Sequence, residues 1–219
     1  MTGLATQQKP SSRPGRPPGG GGQAKVPTSD ELIRVDKCLS GTRTELRDRA
    51  MLLLQYATGM RAGEISALDV GDVLYDGKIL REFRLGREDT KYCRARTVYL
   101  ESPKAIAAVL VYLKARKPDL DFEGDEPLFI GLKFSRRLGS RRLSPNAVVS
   151  VFARIYERAG VIGASSHSGR RWFMTELARR GVHPRIIQQR AGHSSLATTQ
   201  RYIEVTPDQE REAVRMLRL

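Results

Sequence analysis

Cysteine is scarce in this 219-residue chain: there are two, Cys38 and Cys93. Neither sits in a CxxC pair or a Cys/His cluster, so zinc-finger and dithiol-redox readings fall away, while a single disulfide between them stays open. Such usage fits a reducing cytosol. Long apolar runs are missing as well. None approaches the roughly 20 residues that cross a bilayer, and the first thirty residues lack the apolar stretch of a secretory signal. The expectation is a soluble, cytoplasmic protein without a membrane partner. Acidic residues are outnumbered, 24 against 38 Lys and Arg, and none precedes Asp30.

That imbalance leaves a formal charge of +14. A surplus of this size favours a polyanionic partner, nucleic acid ahead of an acidic membrane surface, with plain solubility charge as the alternative. With 40% hydrophobic residues the chain can bury one core. Residues 1–26 cannot contribute to it. They are Pro, Gly, Ser and Gln with Lys9, Arg13, Arg16 and Lys25, a composition that predicts a disordered basic tail, either inert or laid along DNA.

Thr28 or Ser29 before Asp30 and Glu31 marks a helix start. A second helix runs from about Thr44 to Gly59, where Leu46, Ala50, Leu53, Leu54 and Ala57 recur near a 3.6-residue period, and a short third covers Ala62 to Leu68. Lys78 to Leu85 and Arg94 to Leu100 read as strands around the turn-rich Gly86 to Thr90, with Lys91 at or beside the hairpin. Helices are then expected over Pro103 to Lys117, Asn146 to Gly160, Ser168 to Arg180, Pro184 to Arg190, Leu196 to Val205 and Pro207 to Leu217. The basic cluster Lys133, Arg136, Arg137, Arg141 and Arg142 reads as a loop, either a solvated face or a surface that tracks DNA phosphates.

His167-Ser168-Gly169-Arg170 puts an imidazole and a guanidinium three residues apart, on one face of a helix. If Ser165 or Ser166 caps that helix, both fall in its first turn, where free N–H groups and the dipole favour an anion. Alone, this motif reads first as a solvated basic helix start. It is followed by Gly192-His193 and then by Tyr202 in Thr198-Thr199-Gln200-Arg201-Tyr202.

These segments resemble, in order and spacing, the motifs of the tyrosine recombinases, the phage integrase family. Ala57-Thr58-Gly59-Met60-Arg61-Ala62-Gly63-Glu64-Ile65 is similar to the first arginine motif, and Thr90-Lys91 followed by Arg94 to Leu100 is similar to the β-hairpin lysine. The resemblance runs from about residue 28 to residue 205. It implies a mainly α fold with a small antiparallel β-sheet, the DNA breaking-rejoining enzyme fold, as a catalytic domain over 27–219 whose last helix is 207–217. The usual N-terminal core-binding domain is expected to be absent.

The resemblance also implies the roles. Tyr202 is the nucleophile, forming a 3′-phosphotyrosine; Arg61 and Arg170 fork onto the phosphate oxygens; His193 hydrogen-bonds the phosphate; His167 accepts the phenol proton; and Lys91 protonates the leaving 5′-oxygen. Glu64 supports Arg61. No metal, ATP or other cofactor is implied, and no small-molecule substrate. The partners are double-stranded DNA and further copies of the chain, a tetramer on DNA in the nucleoid for integration, excision or resolution; the C-terminal helix either joins these copies or docks on its own molecule.

Each position also has a structural reading. Arg61 pairs with Glu64 at a helix turn, Lys91 belongs to a solvated basic strand pair, and Tyr202 is a half-buried helix tyrosine. Arg171 stands where the family often has His, and Ser168-Gly169 replaces a commoner apolar pair. Two other functions share parts of the pattern: a type IB topoisomerase, and a DNA-binding or regulatory protein with weak cleavage.

Overall fold

The computed structural model describes residues 23–86, 95–202, 210–211 and 214–216. Its elements follow local chemistry closely. Helix α1 (Ser29–Leu39) opens on a capping box, Thr28 Oγ1 accepting from Glu31 N–H and Glu31 from Thr28 N–H. Helix α2 (Glu45–Thr58) ends at Gly59 in the left-handed region, φ 65°. Short helices α3 (Ala62–Ala67) and α4 (Val70–Val73) follow. Both α5 (Pro103–Arg116) and α6 (Pro145–Arg158) begin with a serine cap and a proline at the first position, Ser102-Pro103 and Ser144-Pro145. Helices α7 (Ser168–Arg179), α8 (Pro184–Ala191) and α9 (Leu196–Gln200) complete the set. Glu210, Arg211, Val214 and Arg215 are helical, within the segment expected as the last helix.

Three two-stranded antiparallel sheets are described where one was expected. Strands β1 (Leu74–Tyr75) and β2 (Lys78–Ile79) form a tight hairpin, so the extended run expected from Lys78 breaks at Leu80-Arg81. Strands β3 (Glu82–Leu85) and β4 (Arg96–Tyr99) pair in register Glu82↔Tyr99 to Leu85↔Arg96, with Phe83, Leu85 and Val98 buried. The connection between them contains Lys91, which lies outside the described residues. The basic segment expected as a loop is a hairpin, β5 (Ile130–Ser135) with β6 (Ser140–Arg142). It stands away from the core, Leu132 and Phe134 being exposed, so no buried face imposes the alternation by which strands are recognised.

The main core joins α1, α2, α5, α6 and the β3–β4 pair around Met51, Leu54, Leu113, Phe129, Phe152 and Tyr156. A second, smaller cluster of Met174, Ile187 and Ala191 lies between α7 and α8, and Phe173, Leu177 and Tyr202 pack on it. Helix α7 straddles the two, since Trp172 faces the first cluster and Phe173 the second. Within the stretch expected as a tail, Lys25 N–H donates to Gly163 O at 3.0 Å and Ala24 O accepts from Arg171. Residues 1–22 lie outside the described set. Among the described residues no helix is long and apolar enough to cross a membrane.

Candidate active site

Glu64 organises the arginines. It is the third residue of α3, with its side chain 1% exposed. Its Oε2 accepts from the Arg61 backbone N–H at 2.8 Å and from Arg96 Nη2 at 2.8 Å, and its Oε1 accepts from Arg61 Nη1 at 2.9 Å. Burial alone would raise the carboxyl pKa. The Arg96 and Arg61 charges and their hydrogen bonds outweigh that effect and leave it below the ordinary value, so Glu64 is an anion. The Arg61–Glu64 pair expected at this helix turn is therefore present.

Helix α8 ends in a left-handed turn at Gly192, φ 62°. Three guanidinium groups reach this turn from elsewhere: Arg170 Nη2 donates to Ala191 O, Arg61 Nη2 to Gly192 O at 3.4 Å, and Arg96 Nη1 to Arg190 O at 2.8 Å. Arg170 is 4% exposed, and its Nη1 also donates to Gly59 O at 2.7 Å. Burial first, then the Arg61 charge, draws its pKa down to about 9, which leaves it cationic at neutral pH. Each of its terminal nitrogens carries a second N–H beyond the one given to a carbonyl.

The residue after Gly192 is His193. Its Nδ1 lies 3.0 Å from the buried Thr199 Oγ1, and its ring stacks on Tyr202 with centroids 5.9 Å apart and planes at 23°. Burial, followed by Arg170, Arg61 and Arg96, lowers its pKa to about 4, so the imidazole is neutral at pH 7. If Thr199 donates to Nδ1, the proton sits on Nε2, where it can be given to a ligand oxygen. The half-buried Tyr202 ring also lies 5.5 Å from the Arg171 guanidinium. A cleft of about 510 Å³ opens beside this group, lined by Arg61, Glu64, Arg96, Arg190, Gly192 and His193.

Five of the expected site residues are thus brought to one neighbourhood: Arg61, Glu64, Arg170, His193 and Tyr202. Like Arg170 and Tyr202, His167 does not line the cleft; it is exposed, at the N-terminal boundary of α7 and three residues before Arg170. Neither Ser165 nor Ser166 caps that helix through its side chain. Instead Ser168 Oγ accepts from Ser165 N–H at 2.9 Å, and Ser165 Oγ from His167 N–H at 3.3 Å. In the basic hairpin, Lys133, Arg136, Arg137 and Arg141 are exposed. Arg142 is not available in the same way. It pairs with Asp69 and donates to the carbonyls of Ser66, Ala67 and Leu68, closing the C-terminal end of α3.

A profile of the phage integrase family matches residues 28–209. The chain belongs to the phage integrase family. Among curated family members, the tyrosine recombinase XerA of Pyrococcus furiosus is 32% identical over 189 residues, which are 85% of this chain and 59% of that protein. The chain therefore spans well under two thirds of such a relative's length. Among solved structures, a crystal structure of XerA recombinase superposes with TM-score 0.65 at 25% identity, covering 93% of this chain and 67% of that one. The Tn1549 transposon integrase in complex with a circular intermediate DNA superposes with TM-score 0.70 at 18% identity, covering 90% and 67%, and shares the fold.

Two residues of this family member were not singled out by the sequence. Arg96 was visible only as one of several bases near Lys91, yet strand alternation puts it in phase with the buried Val98 and Leu100, and that phase was the available signal. Gln55 is fully buried, and its Nε2 donates to Met60 O at 3.3 Å and Ser166 O at 2.8 Å, tying the backbone before Arg61 to the backbone before His167. A polar residue inside the apolar run of α2 was its only mark.

Proposed function

We propose that this chain is the catalytic part of a site-specific DNA recombinase that cuts and rejoins strands through Tyr202. The observation carrying this reading is the meeting, at the end of α8, of side chains from three separated segments: Arg61, Arg170, and His193 stacked on Tyr202. A phosphodiester under attack gains negative charge on its non-bridging oxygens, and two cationic forks with a neutral imidazole donor suit that charge. By analogy with other phosphoryl transfers, loss of one such arginine slows the step by on the order of 10³-fold.

In this scheme the Tyr202 oxygen bonds to phosphorus as the bond to the 5′-oxygen breaks. His167 takes the phenol proton and Lys91 gives one to the leaving oxygen. The 3′-phosphotyrosine conserves the bond energy, so the free 5′-hydroxyl of the same or another strand reverses the step without ATP. Exchange between two duplexes calls for four such sites, hence a tetramer of this chain on DNA; assembly through the C-terminal helix and action in the nucleoid are parts of the same proposal. The exposed Lys133, Arg136, Arg137 and Arg141 supply sequence-independent phosphate contacts.

The test is incubation with a nicked half-site duplex followed by denaturing electrophoresis. A covalent protein–DNA adduct is expected, and its loss in Tyr202→Phe. No adduct on DNA that the protein demonstrably binds would overturn the enzyme reading in favour of a DNA-binding relative, and efficient relaxation of unrelated supercoiled plasmid would point to a topoisomerase.

A further inference from the structure

We propose that Arg96 is a positioning residue of this site, locking the Glu64–Arg61 pair to the turn that ends α8 and carries His193. The assignment rests on the strand-transfer reading above. Arg96 lies at the start of β4, with its side chain 10% exposed, and its two terminal nitrogens are spent on opposite walls of the cleft. Nη2 donates to Glu64 Oε2 at 2.8 Å and Nη1 to Arg190 O at 2.8 Å. Its stem lies against Gly192, where an added Cβ would stand 3.0 Å from Arg96 Cδ. With the guanidinium held between these two acceptors and its Nε buried, the role assigned to Arg96 is exerted through its neighbours rather than on the phosphate.

Two other guanidiniums cross between these walls: Arg170 donates to both Gly59 O and Ala191 O, and Arg61, which holds Glu64 Oε1, gives the weaker tie to the turn. Arg61 Nη2 reaches Gly192 O only at 3.4 Å, the long end of hydrogen bonding. A planar guanidinium spans two acceptors with fixed geometry, which an ammonium cannot do. The buried Nε of Arg96 has no hydrogen-bond partner among the described residues, a cost retained at this one position of the strand. Arg96 also belongs to the strand that leaves the connection containing Lys91, so the same bond network sets where β4 begins relative to Arg61 and His193.

His193 gives a second, cleavage-independent readout. The groups around it are Arg170 on α7, Arg61 and Glu64 at α3, Arg96 on β4, Thr199 on α9 and the Tyr202 ring. Arg96 is one of three arginines that, after burial, hold the imidazole neutral.

The experiment compares Arg96→Gln and Arg96→Lys with the wild-type chain, after thermal melts establish that each is folded. Both variants should bind half-site DNA nearly as well as wild type. Adduct formation on bound DNA should slow on the order of 100-fold in Arg96→Gln, the cost typical of a catalytic group misplaced by about 1 Å, and less in Arg96→Lys. In ring NMR titrations, with His193→Gln identifying the resonance, the His193 midpoint near 4 should rise in Arg96→Gln and stay near wild type in Arg96→Lys. Wild-type cleavage rates in both variants would overturn the proposal, as would slowing that merely parallels lost DNA affinity. If the wild-type chain itself forms no adduct, the recombinase reading fails. The positioning claim is then decided by the titration alone, and an unmoved midpoint in Arg96→Gln overturns it.

Discussion

Glu64 is a buried carboxylate that two arginines keep charged, and its pKa below the ordinary 4.5 has a consequence for stability. A group whose folded pKa is lowered stabilises the fold above its unfolded value, and that contribution is lost as pH falls through the folded value. Glu64→Gln keeps the shape and part of the hydrogen bonding but removes the charge. At neutral pH it should cost about 1–3 kcal/mol, and the deficit relative to wild type should shrink below pH 4.5. Melting curves of both proteins across pH 3–7 check this; a deficit unchanged down to the acid end would mean that Glu64 is not the anion holding the site. Adduct formation should also fall, because Arg61 loses its anchor. The Arg61–Glu64 relation was legible from sequence because three residues separate the pair on one helix turn. The Arg96–Glu64 relation was not, because it depends on how β4 packs against α3, and no local rule carries that.

At the scale of elements, the end of α8 is a constrained turn of the site. Gly192 has φ +62°, and an added Cβ would also approach Arg96 Cδ to 3.0 Å. Gly181, just past the end of α7, has φ +73° and nothing within 4 Å of an added Cβ. The two glycines separate strain from site geometry. Alanine at either position should destabilise by about 1 kcal/mol, the usual cost of forcing a side chain into this region. Only Gly192→Ala should in addition slow adduct formation, since it displaces the Arg96 stem. Equal adduct rates in the two variants would show that the turn's shape, rather than its contact with Arg96, is all that matters. The helices were readable because their ends carry chemistry: Thr28 with Glu31, Ser102-Pro103, Ser144-Pro145, and Gly59 and Gly192 as left-handed stops. The β5–β6 hairpin and α4 were not. One exposes its apolar residues and the other spans four residues, so neither prints a period on the sequence.

For the whole molecule, the division into two hydrophobic clusters predicts two stabilities. The larger cluster contains most of the buried aromatics and aliphatics, whereas the smaller has three fully buried apolar residues, Met174, Ile187 and Ala191. Arg61 is attached to the first through α2 and α3, while His193 and Tyr202 ride on the second, so the site spans their boundary. Regions with few buried contacts open with less free energy than the global core. Amides of α8 should therefore exchange with solvent well before those of α2, α5 and α6. Removing the Phe152 side chain from the main core as Phe152→Ala should cost about 3–5 kcal/mol and lower protection everywhere, since opening the main core is global unfolding. Met174→Ala should instead strip protection from α8 while leaving α2 and α5 nearly as protected as before, and it should slow cleavage in a protein whose main melting transition barely moves. Hydrogen exchange read by mass spectrometry on the two variants decides the point. Equal loss across α2, α5 and α8 in Met174→Ala would mean that the clusters open as one unit, and that the nucleophile's support is no softer than the arginines' own.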